Sequence, residues 1–225
     1  MIARFFITTS ILVFTGCPRR ASEPVDVTRF RDTLVYFGEL SVNGLAALQR
    51  ADDGAARTLM IRSNGGEVGI GMAFGEWVHS RQLDVVVLDR CLSSCANYVF
   101  PAGRRKSVLG GGLVAWHGNV HTASVDELPE SKRDEVRAYL TKMLVRERAF
   151  YRRIGVSECL ARIGNVRLGA PGFFTMSPTD MRRFGLDDVD GAPESANDVS
   201  PLMRSEFRFS FVEVPASLDA YRACE

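Results

Sequence analysis

The chain has 225 residues, 46% of them apolar, which is enough for one well-buried core with a small appendage at most. Its 28 lysines and arginines interleave with 27 acidic residues, and the net charge of +1 points away from nucleic acid and from acidic polymers as partners.

In chain order, Met1-Ile2-Ala3-Arg4 carries one positive charge and residues 5–14 are apolar. That run is too short for a bilayer-spanning helix of ~20 residues. Small residues follow at Thr15-Gly16-Cys17, so residues 1–17 read as an export signal. The ending Phe14-Thr15-Gly16-Cys17 resembles a bacterial lipoprotein box, although Phe14 replaces the usual leucine. The resemblance implies lipidation of Cys17 and a lipid anchor on the periplasmic side of a bacterial membrane, with soluble export as the alternative.

Residues 18–30 read as a tether. Residues 33–40 alternate like a strand, and 42–50 form a short helix with Ser41 as its N-cap. A buried strand over 57–61 ends at the Gly65-Gly66 turn, and 68–80 is an amphipathic helix. The apolar run at 84–88 predicts a strand covered on both faces. Residues 94–100 open another helix, stopped near Pro101 and Gly103. Strands follow at 106–109 and 113–116.

Residues 126–153 form a long helix, charged outside, with Val136, Leu140, Met143, Leu144 and Phe150 as its apolar stripe. A short helix at 159–163 and a strand at 173–176 come next. Ser177 is then an N-cap, Pro178 sits at N1, Asp180 completes a capping box and Gly185 ends the helix. Residues 191–205 read as loop and 206–214 as a terminal strand. Strands alternating with helices imply an α/β fold with a largely parallel sheet. The expected core domain is 31–190, with 191–225 as a C-terminal extension.

Export changes the cysteine arithmetic. Setting Cys17 aside leaves Cys91, Cys95, Cys159 and Cys224, an even set that suits two disulfides in an oxidising compartment. Three pairings are open; Cys91–Cys95 with Cys159–Cys224 is favoured because the first two flank one turn. These cysteines lack C-x-x-C spacing, and His117 and His121 have no obvious partners, so no metal or cofactor is expected.

Three segments carry chemistry. Ser63-Asn64-Gly65-Gly66 offers bare backbone N–H groups, Ser93-Ser94-Cys95-Ala96 a hydroxyl at a helix entrance, and Trp116-His117 an imidazole at a strand end. Donors, nucleophile and base are the parts of an acyl-transfer site. Their order, with the Ser177-Pro178…Gly185-Leu186 segment, resembles the Clp protease proteolytic subunit within the Clp/crotonase fold, over roughly residues 33–188. The nearest counterpart is an exported branch rather than the cytosolic ring-forming subunit.

The resemblance implies Ser94 as nucleophile, His117 as general base, and the N–H groups of Gly66 and Cys95 as oxyanion hole. Ser93 competes with Ser94, but counting back from Ala102-Gly103 favours Ser94. It also implies stacked, largely parallel strands and a long handle-like helix that packs subunits into a homo-oligomer. The substrate class is peptide or protein. No ATPase partner is expected outside the cytosol.

At the family's triad-acid position stands Ala170-Pro171-Gly172-Phe173-Phe174, without a carboxylate. A backbone carbonyl, Asp180 or Asp187 would have to orient His117 instead. Two alternatives therefore stand beside the serine peptidase: a catalytically weak or inactive peptide-binding member of the fold, and crotonase-type acyl-thioester chemistry, against which export argues.

Overall fold

The computed structural model describes residues 24–126, 128–219 and 222–224. The export segment and Cys17 lie outside the described residues. Among the described residues no helix is long and apolar enough to cross a membrane.

The molecule is an α/β protein with a mixed, mostly parallel sheet. Strand β1 (Asp26–Phe30) pairs antiparallel with β2 (Thr33–Phe37). Helix α1 (Val42–Ala51) then crosses to β3 (Thr58–Ser63), which lies parallel to β2. Helix α2 (Val68–Arg81) leads to β4 (Asp84–Leu92), parallel to β3. Two capping devices start the helices. The Ser41 hydroxyl accepts from the Gly44 N–H, and the Glu67 carboxylate accepts from the N–H groups of Gly69 and Ile70.

Strand β4 is long and serves two neighbours. Its first half, Val85 to Val87, pairs with β5 (Lys106–Val108); its second half, Arg90 to Leu92, pairs with β6 (Leu113–Ala115). Between β4 and β5 the chain makes a π-helical turn, Cys95–Val99, and then a short α3 (Phe100–Ala102). Helix α4 (Glu130–Ile154) follows β6; its C-terminal half buries Met143, Glu147, Phe150 and Tyr151. A 3-10 turn (Glu158–Ala161), α5 (Ile163–Val166), β7 (Phe173–Thr175) and α6 (Pro178–Arg182) come next. Strand β8 (Val189–Asp190) closes the main sheet beside β5.

Two expectations are corrected here. Residues 18–30 are not all tether, because Asp26 to Phe30 match every residue of β2 from Phe37 back to Thr33. The antiparallel ladder gives their backbone groups partners, which the charged local composition does not advertise. Residues 191–205 are not all loop: α7 (Pro201–Glu206) starts there, with the Ser200 hydroxyl accepting from the Met203 N–H.

Nor is the C-terminal segment an appendage. Val199 and Met203 form a small core with Leu92, Leu113 and Ala115, while Val212 and Val214 join the main one. Strand β9 (Phe209–Phe211) pairs parallel with β7. The favoured disulfides are both present, Cys91–Cys95 and Cys159–Cys224, and the second staples the end of the chain to the 3-10 turn after α4.

Close packing of α2 on the π-turn depends on two glycines. A Cβ at Gly71 would lie 2.8 Å from the Ser94 Cβ and from the Tyr98 ring, and one at Gly75 would strike the Tyr98 carbonyl. The missing side chains let the two backbones approach, and this sets the depth at which Ser93 and Ser94 emerge from β4.

Candidate active site

The site forms where the C-terminal ends of three adjacent parallel strands meet. Ser63 at the end of β3 pairs with Cys91, and Cys91 and Leu92 of β4 pair with Val114 and Ala115 of β6. One residue on, the Ser93 N–H donates to the Ala115 carbonyl at 3.0 Å. Parallel register therefore sets Ser93 beside Trp116 and one step from His117. The N–H groups of Trp116 and Phe174 each donate to the other residue's carbonyl, at 2.8 and 2.7 Å, which fixes where β6 ends and His117 begins.

The imidazole meets Ser93, not Ser94. His117 Nε2 lies 2.7 Å from the Ser93 Oγ. The Ser94 hydroxyl instead donates to the Gly66 carbonyl at 2.7 Å, and Ser94 is only 2% exposed. The hydroxyl that meets the imidazole is thus one residue before the serine singled out from sequence, for a visible reason. Counting back from Ala102-Gly103 assumes α-helical pitch, but Cys95–Val99 is π-helical. A π-turn takes one extra residue per loop of chain. The serine at the mouth of the helix is consequently the one before Ser94.

Ser93 has a left-handed backbone, φ +54°. For a residue with a Cβ this conformation costs about 1–2 kcal/mol. The strain sits in a sharp strand-to-helix turn that lifts the hydroxyl out of the sheet. Gly65, with φ +97°, packs flat against this elbow; a Cβ there would lie 2.8 Å from the Ser93 Cβ and 3.0 Å from the Ser94 N. The Cys91–Cys95 disulfide brackets the elbow from both sides and is fully buried.

Two backbone donors belong to the segments that flank the elbow. The Gly65 carbonyl accepts from the Leu40 N–H at 2.8 Å, so the N–H across the same trans peptide, that of Gly66, faces the opposite way. No hydrogen bond from that N–H forms among the described residues. The helix N–H adjoining Ser93 is that of Ser94; the Cys95 N–H implied by the resemblance lies one residue further on. Both belong to the first turn, where backbone donors lack intrahelical acceptors. Arg90, almost buried, donates from Nε to the Asn64 Oδ1 at 2.8 Å and so holds the loop that carries these glycines.

His117 is exposed, with part of its ring covered by protein. Burial pushes its pKa below the ordinary imidazole value of 6.5, favouring the neutral ring. Phe173 packs on it with ring centroids 4.6 Å apart. Among the described residues no carboxylate contacts the ring. Asp180 is engaged by Ser177, Arg183 and the Val214 N–H, and Asp187 lies near Arg182. Neither takes the place of a triad acid. Phe173, from the segment without carboxylates, is what fills the space beside the imidazole.

Comparison with known proteins adds little to this geometry. No family model matches the chain, and no curated protein does. Among solved structures, an enoyl-CoA hydratase from Thermoplasma volcanium GSS1 is similar over 44% of this chain and 52% of its own, at 10% identity and a TM-score of 0.32. A methylmalonyl CoA decarboxylase complexed with 2S-carboxypropyl CoA is similar over 37% of this chain and 45% of its own, at 9% identity and a TM-score of 0.30. The chain thus spans about half the length of the solved structures it matches, and the likeness is a distant one of shape.

Proposed function

We propose that the chain is an exported, ATP-independent serine hydrolase of Clp/crotonase-like architecture that opens acyl bonds, those of peptides foremost, through an acyl-enzyme on Ser93. The observation that carries this reading is the 2.7 Å contact between His117 Nε2 and the hydroxyl of a serine held at φ +54°. The elbow brings the Ser93 hydroxyl to the imidazole, and burial favours the neutral form of that imidazole, the form that can accept its proton.

The steps follow from the positions. Neutral His117 takes the Ser93 proton at Nε2 as Oγ attacks the acyl carbon. Negative charge gathers on the acyl oxygen, facing the N–H groups of Gly66 and Ser94 at the start of the helix. His117 then returns the proton to the leaving group, and a water repeats the sequence to free Ser93. The Ser94 hydroxyl is a positioning group: by holding the Gly66 carbonyl it fixes the angle of the glycine loop.

The imidazole has no carboxylate behind it, and losing such a partner lowers turnover on the order of 10⁴-fold in serine proteases. Slow hydrolysis is the consequence, with Phe173 orienting the ring by contact alone. The same observation supports a second reading, a peptide-binding module in which the elbow is retained without turnover. Both disulfides are consistent with an oxidising compartment. Anchoring through Cys17 and self-association through the exposed N-terminal half of α4 remain parts of the proposal.

A fluorophosphonate probe tests it, because phosphonylation needs an activated hydroxyl. Mass mapping is expected to find the adduct on Ser93, with loss of labelling in Ser93→Ala and in His117→Ala. Absence of labelling in a folded wild-type protein rejects the hydrolase and leaves the binding module.

A further inference from the structure

We propose a second site: a divalent transition-metal site, of the kind that takes zinc, formed by His121, Glu147 and Glu158. These three residues come from three segments, the 3-10 turn Val120–Thr122, helix α4 and the 3-10 turn Glu158–Ala161. Their donor atoms all lie within 4.8 Å of one another. A tetrahedral zinc with bonds of ~2.1 Å spaces its donors ~3.4 Å apart, so closure needs shifts of about an ångström, within the reach of side-chain torsions. One imidazole nitrogen and two carboxylate oxygens are the ligand types of an open zinc site.

The second observation concerns polar atoms without partners. Glu147 is 0% exposed, among the apolar residues of α4. Its Oε1 accepts from the Tyr98 hydroxyl at 2.6 Å and the Val120 N–H lies close to the carboxylate, but neither its Oε2 nor the Glu158 Oε2 is in a well-formed hydrogen bond. A buried carboxylate oxygen left unpaired is costly. His121 Nε2 lies 2.9 Å from the Glu158 Oε1, without the geometry of a hydrogen bond. A cation between them would satisfy all three residues at once. Arg162, 3.4 Å from the Glu158 Oε1, supplies part of the balancing charge and is the internal alternative to a metal. It does not reach the unpaired oxygen of Glu147 through any hydrogen bond. Of the three, Glu158 alone borders a depression of about 440 Å³ at the end of α4, which Arg148 and Arg152 also line.

Such an ion would have a consequence for the candidate active site. His121 follows His117 by four residues, and the intervening Gly118 carbonyl accepts from the Asn97 side chain of the π-turn. Clamping His121 to α4 fixes the segment that presents the base. Sequence reading leaves His121 without partners because Glu147 and Glu158 lie 26 and 37 residues further on.

The test uses the full chain, stripped with a chelator and titrated with zinc chloride by calorimetry, with metal content measured after dialysis. One zinc per chain is expected. His121→Ala and Glu147→Gln should each weaken binding about 10-fold or more. Zinc at a hundredfold excess over the wild-type dissociation constant should raise the melting temperature of the wild type by about 5–10 °C and that of His121→Ala by no more than about half as much. His121→Ala alters a partly exposed turn, so it decides the matter even if Glu147→Gln fails to fold. No stoichiometric zinc on the wild type, or undiminished zinc on folded His121→Ala, overturns the proposal and makes Arg162 the counterion.

Discussion

Replacing Ser93 and Ser94 one at a time separates two roles that adjacent, chemically identical residues would otherwise share. Ser93→Ala removes the hydroxyl that, alone among the described residues, hydrogen-bonds His117. The left-handed backbone costs alanine about as much as serine, so the melting temperature should move by no more than about 2 °C. Because the site already lacks a triad acid, the hydrolytic rate should fall by a further factor on the order of only 10², to the level that donors and binding alone sustain. Ser94→Ala does the reverse. It deletes a 2.7 Å hydrogen bond inside a 2%-exposed site and leaves the Gly66 carbonyl without that donor. Such a loss costs about 1–3 kcal/mol, or a fall of about 3–10 °C in melting temperature for a domain of this size. Fluorophosphonate labelling should persist in Ser94→Ala, with turnover reduced about 10-fold through a loosened glycine loop. Paired labelling kinetics and thermal melts on the two variants read both axes. An adduct on Ser94, or a Ser93→Ala protein that labels like wild type, refutes the reasoning from the π-turn.

Other outcomes follow from the same geometry. Because burial holds His117 below its ordinary pKa of 6.5, the base stays unprotonated to lower pH; the acid limb of kcat/KM should have its midpoint under 6.5 and move up when Phe173→Ala uncovers the ring. A wild-type midpoint at or above 6.5 contradicts this. The Cys159–Cys224 bridge spans 65 residues against four for Cys91–Cys95, so chain-entropy arguments assign them about 4 and about 2 kcal/mol. Denaturant midpoints of the two double Cys→Ser variants should rank accordingly, and the opposite order would show that the elbow disulfide relieves local strain. Gly75→Ala would place a methyl against the Tyr98 carbonyl and 2.9 Å from the Phe150 ring. Overpacking of this kind costs about 1–3 kcal/mol, visible as a lower melting temperature, and unchanged stability would mean that α2 can back away from the π-turn.

What the sequence makes legible here depends on how local the cause is. Ser41 and Ser177 cap helices through bonds to residues three places on, and both are apparent from spacing alone. The alternation of strands with crossover helices is equally local in origin, and so the α/β class is readable before any coordinates. Strand β1 fails that test: Asp26 to Phe30 becomes a strand only because β2 offers a complete antiparallel ladder. Helix α7 is likewise decided from afar, by Val199 and Met203 finding Leu92, Leu113 and Ala115.

The site shows the same division at finer grain. Residue types and their order point to a hydroxyl, an imidazole and a glycine pair, and the fold brings all three to adjacent strand ends. Which of two neighbouring serines takes part depends on helical pitch over Cys95–Val99, and pitch is set by packing. Gly71 and Gly75 draw α2 close, and the Tyr151 hydroxyl donates to the Asn97 carbonyl from the other side. That bond helps to occupy a carbonyl within the widened turn, so that it need not tighten to α-helical pitch. Which of the two serines meets His117 is therefore a tertiary property. Restoring α-helical pitch by deleting one residue of the π-turn should carry Ser94 into the place of Ser93, and transfer of fluorophosphonate labelling to Ser94 in that deletion variant would show it directly. A folded deletion variant still labelled at Ser93 would mean that the register of β4 with β6, rather than the pitch of the turn, selects the residue that meets His117.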